Sequence, residues 1–112
     1  MSKKLFKNYD FEFDKNERKL LVTFCNQVIK QLEGDRRFYR EVNVFSSIIS
    51  KLKENNTKVK LTKEEKTKLV QQLKANIEYS EKEMKKSGFI KRWMLKSMHK
   101  QYTTLFEKHF KD

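Results

Sequence analysis

MKKSGFIKRWMLKSMHKQYTTLF, residues 84–106, holds Lys85, Lys86, Lys91, Arg92, Lys96 and Lys100 and not one acid. At about 100° per residue the stretch reads as an amphipathic helix. Ile90, Trp93, Met94, Met98, Tyr102 and Leu105 fall on one half of its circumference, and Arg92, Lys96, His99, Lys100 and Thr103 gather on the other. One face is predicted to pack, and the other to attract anions. Because Ser87-Gly88 breaks the pattern upstream, the helix is expected to begin near residue 89, with Gly88 as the C′ glycine of the helix before it.

That preceding helix has its own start signal. Thr62 to Glu65 has the capping-box form T-x-x-E, and Leu69, Val70, Leu73, Ile77 and Met84 follow at helical spacing. Its outer face mixes Lys66, Lys68, Lys74 and Lys82 with Glu78, Glu81 and Glu83, an ordinary solvated surface.

Nearer the N-terminus, Asp14 and Glu17 form a second capping box, with Asp in the Ser/Thr role. The apolar positions Leu21, Phe24, Cys25, Val28, Ile29 and Leu32 then run to Gly34, which is placed to adopt the left-handed conformation after a helix end. Asp35 can cap a further helix in which Phe38, Val42, Phe45, Ile49 and Leu52 recur at spacings of four, three, four and three. Glu54-Asn55-Asn56-Thr57 reads as its end and a turn. Tyr9 to Phe13 and Lys58 to Leu61 both alternate, so a small two-stranded β-ribbon between them is one outcome.

The expected fold is therefore all-α: a compact antiparallel bundle of about four helices, near 14 to 33, 36 to 54, 63 to 86 and 89 to 110, with that minor ribbon. Zero Pro and two Gly favour long helices over a sheet with many turns. At 112 residues the chain is the size of one domain, read as a basic, aromatic N-terminal arm (1–13) and a single helical domain (14–112). The expected shared core is Phe24, Val28, Phe45, Ile49, Leu73, Ile77 and Met94.

Composition bounds the function. Nine Phe, four Tyr and one Trp supply enough bulky surface to fold a chain in which 38% of residues are charged. A single cysteine forms no internal disulfide, and Met1 to Lys7 lacks the apolar run of a secretory leader, which predicts a cytoplasmic protein. No apolar run approaches the roughly 18 residues needed to cross a bilayer, so integral insertion is not expected. The net charge of +12 invites a polyanion. Lysine outnumbers arginine strongly, however, and Asn, Ile and Phe are plentiful, as an AT-rich, bacterial-like genome would write into any protein.

Signatures of catalysis are absent: no nucleophile elbow, no phosphate-cradling glycine loop, no H-E-x-x-H and no paired cysteines. No enzyme activity, cofactor or metal site is predicted. His99 and His109 lie too far apart in sequence to share a helical face as a metal pair, and Asp10, Glu12 and Asp14 read as solvated groups and caps rather than calcium ligands. Cys25 reads as a small buried hydrophobe.

Two basic groups remain as candidate anion-binding or nucleic-acid-binding residues. Arg36, Arg37 and Arg40 cluster where a helix dipole disfavours them; they either pair with Asp35 and Glu41 or form a fork for phosphate. Lys91, Arg92, Lys96, His99 and Lys100 form the other group, in which Arg92, Lys96 and Lys100 repel at about 0.2–0.5 kcal/mol per pair. Trp93 and Tyr102 lie on the packing arc, which places them in the core. Left exposed, they would suit stacking on unpaired nucleotides or lying at a lipid headgroup boundary.

The function expected from these residues is non-enzymatic binding or regulation through a basic helical face, with nucleic acid or an acidic protein surface as partner, nucleic acid first. The alternative is a protein-interaction module of inhibitor, antitoxin or immunity type whose charge is compositional. A third option is reversible docking on an anionic membrane through the last helix, which requires a free Trp93 face.

Overall fold

The computed structural model describes residues 9–54 and 57–111. The fold is all-α, with four helices and a two-stranded antiparallel ribbon among the described residues. In order these are β1 (Tyr9–Phe11), α1 (Lys15–Leu32), a 3-10 turn (Arg36–Phe38), α2 (Tyr39–Lys53), β2 (Val59–Leu61), α3 (Lys63–Lys86) and α4 (Phe89–His109). Of the arm expected at residues 1–13, residues 1–8 lie outside the described residues, as do Asn55 and Asn56 of the expected turn. Two compact units divide within α3, after Leu69.

In the first unit, α1 starts where its capping box requires. The Glu17 amide donates to Asp14 Oδ1 at 2.8 Å, and the Asp14 amide donates to Glu17 Oε1 at 2.9 Å. Gly34 ends the helix at φ 92°, a backbone conformation that side chains with a Cβ disfavour. Asp35 caps the 3-10 turn rather than α2 itself, so Phe38 falls outside the α-helical phase.

That offset rotates the buried face of α2. Val44, Phe45, Ile48 and Leu52 are buried, whereas Phe38, Val42 and Ile49, expected in the seam, are half-buried. On α1 the expected stripe is buried at Leu21, Phe24, Cys25 and Val28. Shielding pushes the Cys25 thiol up to about 12, and thiol reagents should therefore label native protein slowly. Labelling at the rate of the unfolded chain would show that this face of α1 opens.

The ribbon closes the unit. Tyr9 pairs with Leu61, Asp10 with Lys60 and Phe11 with Val59, burying Phe11, Val59 and Leu61 while Asp10 and Lys60 face out. Arg18 fastens the end of α2 to the start of α1. Its Nη1 donates to Leu52 O at 2.9 Å and to Glu54 O at 3.0 Å, and Nη2 donates to Thr57 O at 3.4 Å. A cation on the last carbonyls of a helix satisfies orphan acceptors and complements the dipole.

The α3 capping box is present, with Glu65 and Thr62 exchanging bonds at 2.8 and 3.1 Å. Glu65 does more than cap. Although only 5% exposed, it also accepts from Ser47 Oγ and Lys51 Nζ of α2. Burial pushes this carboxyl up, but the bonds from Lys51, Ser47 and Thr62 outweigh it and hold the group below its usual range.

Candidate anion-docking face on helix α4

The second unit is built on the hairpin of α3 and α4. Two contacts fix their antiparallel pairing: His99 Nε2 lies 3.1 Å from Glu81 Oε1, and Lys74 Nζ lies 5.7 Å from the Phe106 ring centre. The turn between the helices has no left-handed residue. Gly88 is extended (φ −68°, ψ 174°) and stands as the N-cap of α4, so the expected left-handed glycine is replaced by other devices. Ser87 Oγ donates to Glu83 O, and Arg92 reaches back to the last carbonyls of α3, Nε to Met84 O at 3.0 Å and Nη2 to Ser87 O at 3.2 Å.

Arg92 ties the first turn of α4 to the end of α3. With its guanidinium on the end of α3, the azimuth that points inward carries Tyr102 and Leu105, both buried, and the half-buried Leu95, Met98, His99, Thr103 and Phe106. The arc expected to pack is therefore split. Its C-terminal members are buried, but Ile90, Trp93 and Met94 are 81%, 74% and 55% exposed, and Phe89 beside them is 89% exposed. Met94 is accordingly not a core residue. His99 and Thr103, assigned by periodicity to the solvated side, lie on the half-buried side instead.

The outward face has its own order. Phe89, Trp93, Lys96 and Lys100 stand at i, i+4, i+7 and i+11, one stripe on the solvent side. Lys91, Lys96 and Lys100 are exposed and have no acidic partner among the described residues. Of the candidates in this helix, these three remain free to meet an anion, while Arg92 and His99 already serve α3. A shallow groove lined by Glu81, Met84, Lys85 and Arg92 adjoins the turn.

The arginine cluster, in the first unit, is largely engaged. Arg37 holds Asp35 with Nε at 3.1 and 3.2 Å from the two carboxylate oxygens and Nη2 at 2.8 Å, which lowers the pKa of the Asp35 carboxyl. Arg40 Nε pairs with Glu64 Oε2 of α3 at 2.8 Å, not with Glu41, which takes Lys68 at 3.0 Å. Arg36 is exposed and has no acidic partner among the described residues. The pairing expected with Asp35 is made by Arg37, whereas the pairing expected with Glu41 is replaced by Arg40 reaching Glu64 across to α3.

Periodicity alone missed the contribution of Phe89 and misplaced Ile90, Trp93 and Met94. The available signal was local: bulky residues in the first turn and a half of a helix, between lysines and next to a two-residue turn, have few neighbours to pack on. Among the described residues no group of three or more His, Cys, Asp or Glu is placed to hold a metal ion, and no helix is long and apolar enough to cross a membrane. Comparisons with protein-family models, curated proteins and solved structures return no match.

Proposed function

We propose that the chain is a non-enzymatic binding protein that docks an anionic partner through the exposed lysines of α4, Lys96 and Lys100 on its outward stripe and Lys91 in its first turn. The observation that carries this reading is that Lys91, Lys96 and Lys100 stand exposed, with no acid among the described residues to neutralise them, while bases elsewhere such as Arg37, Arg40, Lys51 and Lys68 are paired. Nearby anions would relieve repulsion between Lys96 and Lys100, which stand one turn apart, and take up contacts that no side chain supplies. A phosphate fork at Arg36, Arg37 and Arg40 has less support, because two of its three members already hold carboxylates. Nucleic acid and an acidic protein surface would both meet the same lysines.

The test is salt-dependent binding to a soluble polyanion, using both single-stranded DNA and a sulfated polysaccharide. Three lysine contacts give a log–log salt slope of about −2 on single-stranded DNA. Lys91→Gln, Lys96→Gln and Lys100→Gln together should flatten that slope almost fully. The matched control, Lys19→Gln, Lys30→Gln and Lys53→Gln, removes the same charge from exposed positions of the first unit and should leave it nearly unchanged. Equal losses from the two triple variants would reduce the charge to a compositional background and overturn the reading.

A further inference from the structure

Among the described residues, six large hydrophobic side chains are exposed, and four of them, Phe89, Ile90, Trp93 and Met94, fall within six consecutive residues at the turn end of the α3–α4 hairpin. Scattered single apolar residues on a surface are ordinary, but four together on one and a half helical turns are not. Residues 82–100, which contain this cluster, carry seven bases and one acid. An aromatic and aliphatic knob in a stretch of chain rich in cations is the composition that binds an interface with apolar material just beneath a layer of negative charge.

From this juxtaposition we infer that the α3–α4 turn docks on anionic lipid headgroups, with Phe89, Ile90, Trp93 and Met94 entering the headgroup–acyl boundary and the surrounding lysines meeting the phosphates and carboxylates. The inference rests on the anionic-partner reading above and names the partner.

Each feature of the knob selects against another occupant. Stacking on nucleobases uses flat rings, and would explain Phe89 and Trp93 but not the aliphatic Ile90 and Met94. A second copy would set seven bases against seven in a two-fold contact, where like charges oppose association. Lipid takes all four side chains at once, and Trp is favoured at that depth because its ring is apolar and its N–H still reaches water. Docking would be peripheral, because no described helix can cross the bilayer.

Trp93 is the chain's single tryptophan, so its fluorescence reports the proposed contact directly. The experiment is co-sedimentation and Trp93 emission of the full chain with vesicles of phosphatidylcholine alone and of phosphatidylcholine with about one-third phosphatidylserine, with the sulfated polysaccharide as a lipid-free arm. Binding is expected to the serine-containing vesicles only, with a blue shift of Trp93. Loss of each of Lys91, Lys96 and Lys100 should weaken it about fivefold. The pair Phe89→Ser and Ile90→Ser should weaken it about tenfold or more and leave binding to the polysaccharide unchanged. Both residues are exposed, so neither change threatens folding.

Binding to the polysaccharide without binding to vesicles would overturn the lipid inference and leave the anionic-partner reading standing. Binding to neither would overturn both. Vesicle binding with no blue shift, or unaffected by the serine pair, would overturn the insertion of the knob. Equal binding to uncharged vesicles would overturn the part assigned to the lysines.

Discussion

Phe45→Ala should destabilise the protein by about 3–5 kcal/mol, whereas Met94→Ala should change stability by no more than about 0.5 kcal/mol. Phe45 is fully buried on α2, and its removal costs both the transfer energy of the ring and the cavity left where neighbours cannot close in. Met94 sits on an apolar arc by spacing, yet is 55% exposed, so truncating it leaves no cavity. Urea unfolding of the two variants, read as a shift of midpoint at constant slope, separates the cases. Comparable losses would mean that the knob at the α3–α4 turn is covered, and the docking surface argued from its exposure would not exist.

Glu65→Ala should cost about 2–3 kcal/mol, because the buried carboxylate it removes serves Ser47, Lys51 and the Thr62 amide at once. Lys51 is still partly in water, which keeps the loss below that of breaking a fully buried pair. Glu65→Gln, which retains the shape and one acceptor, should cost less. The effect has a pH signature. The folded protein holds this carboxyl below the ordinary glutamate value of 4.5, so its contribution is fully present above that value and is lost as pH falls through the depressed folded value. The stability gap between wild type and Glu65→Ala, measured by urea unfolding from pH 7 downward, should therefore be constant to about pH 5 and shrink below it. A gap that persisted undiminished into strong acid would show that the carboxylate is not charged in the native state.

Glu65 also illustrates what a sequence can and cannot say. Thr62 and Glu65 announce a helix start because a capping box is local: its two bonds lie within four residues, and no distant partner is needed to make them. That the same carboxylate anchors α2 through Ser47 and Lys51 depends on the approach of a second helix, which no spacing encodes. Arg18 makes the same point. Its bonds to Leu52, Glu54 and Thr57 arise only because the antiparallel pairing of α1 and α2 brings the end of one helix to the start of the other.

Local chemistry dictates the elements among the described residues: four helices, their boundaries at Asp14, Gly34, Thr62 and Gly88, and the alternation that pairs Tyr9–Phe11 with Val59–Leu61. These follow from backbone hydrogen bonding and side-chain period, which act over a few residues. Which azimuth of each helix is buried depends on long-range packing. Both α2 and α4 are apolar over more arc than a neighbour can cover, so several rotations satisfy the pattern equally. In α2 the buried azimuth is the one that carries Val44, Phe45, Ile48 and Leu52, with Phe38 in the 3-10 turn before the helix. In α4 the buried azimuth is the one that carries Tyr102 and Leu105, which leaves Trp93 outward beside Lys96 and Lys100.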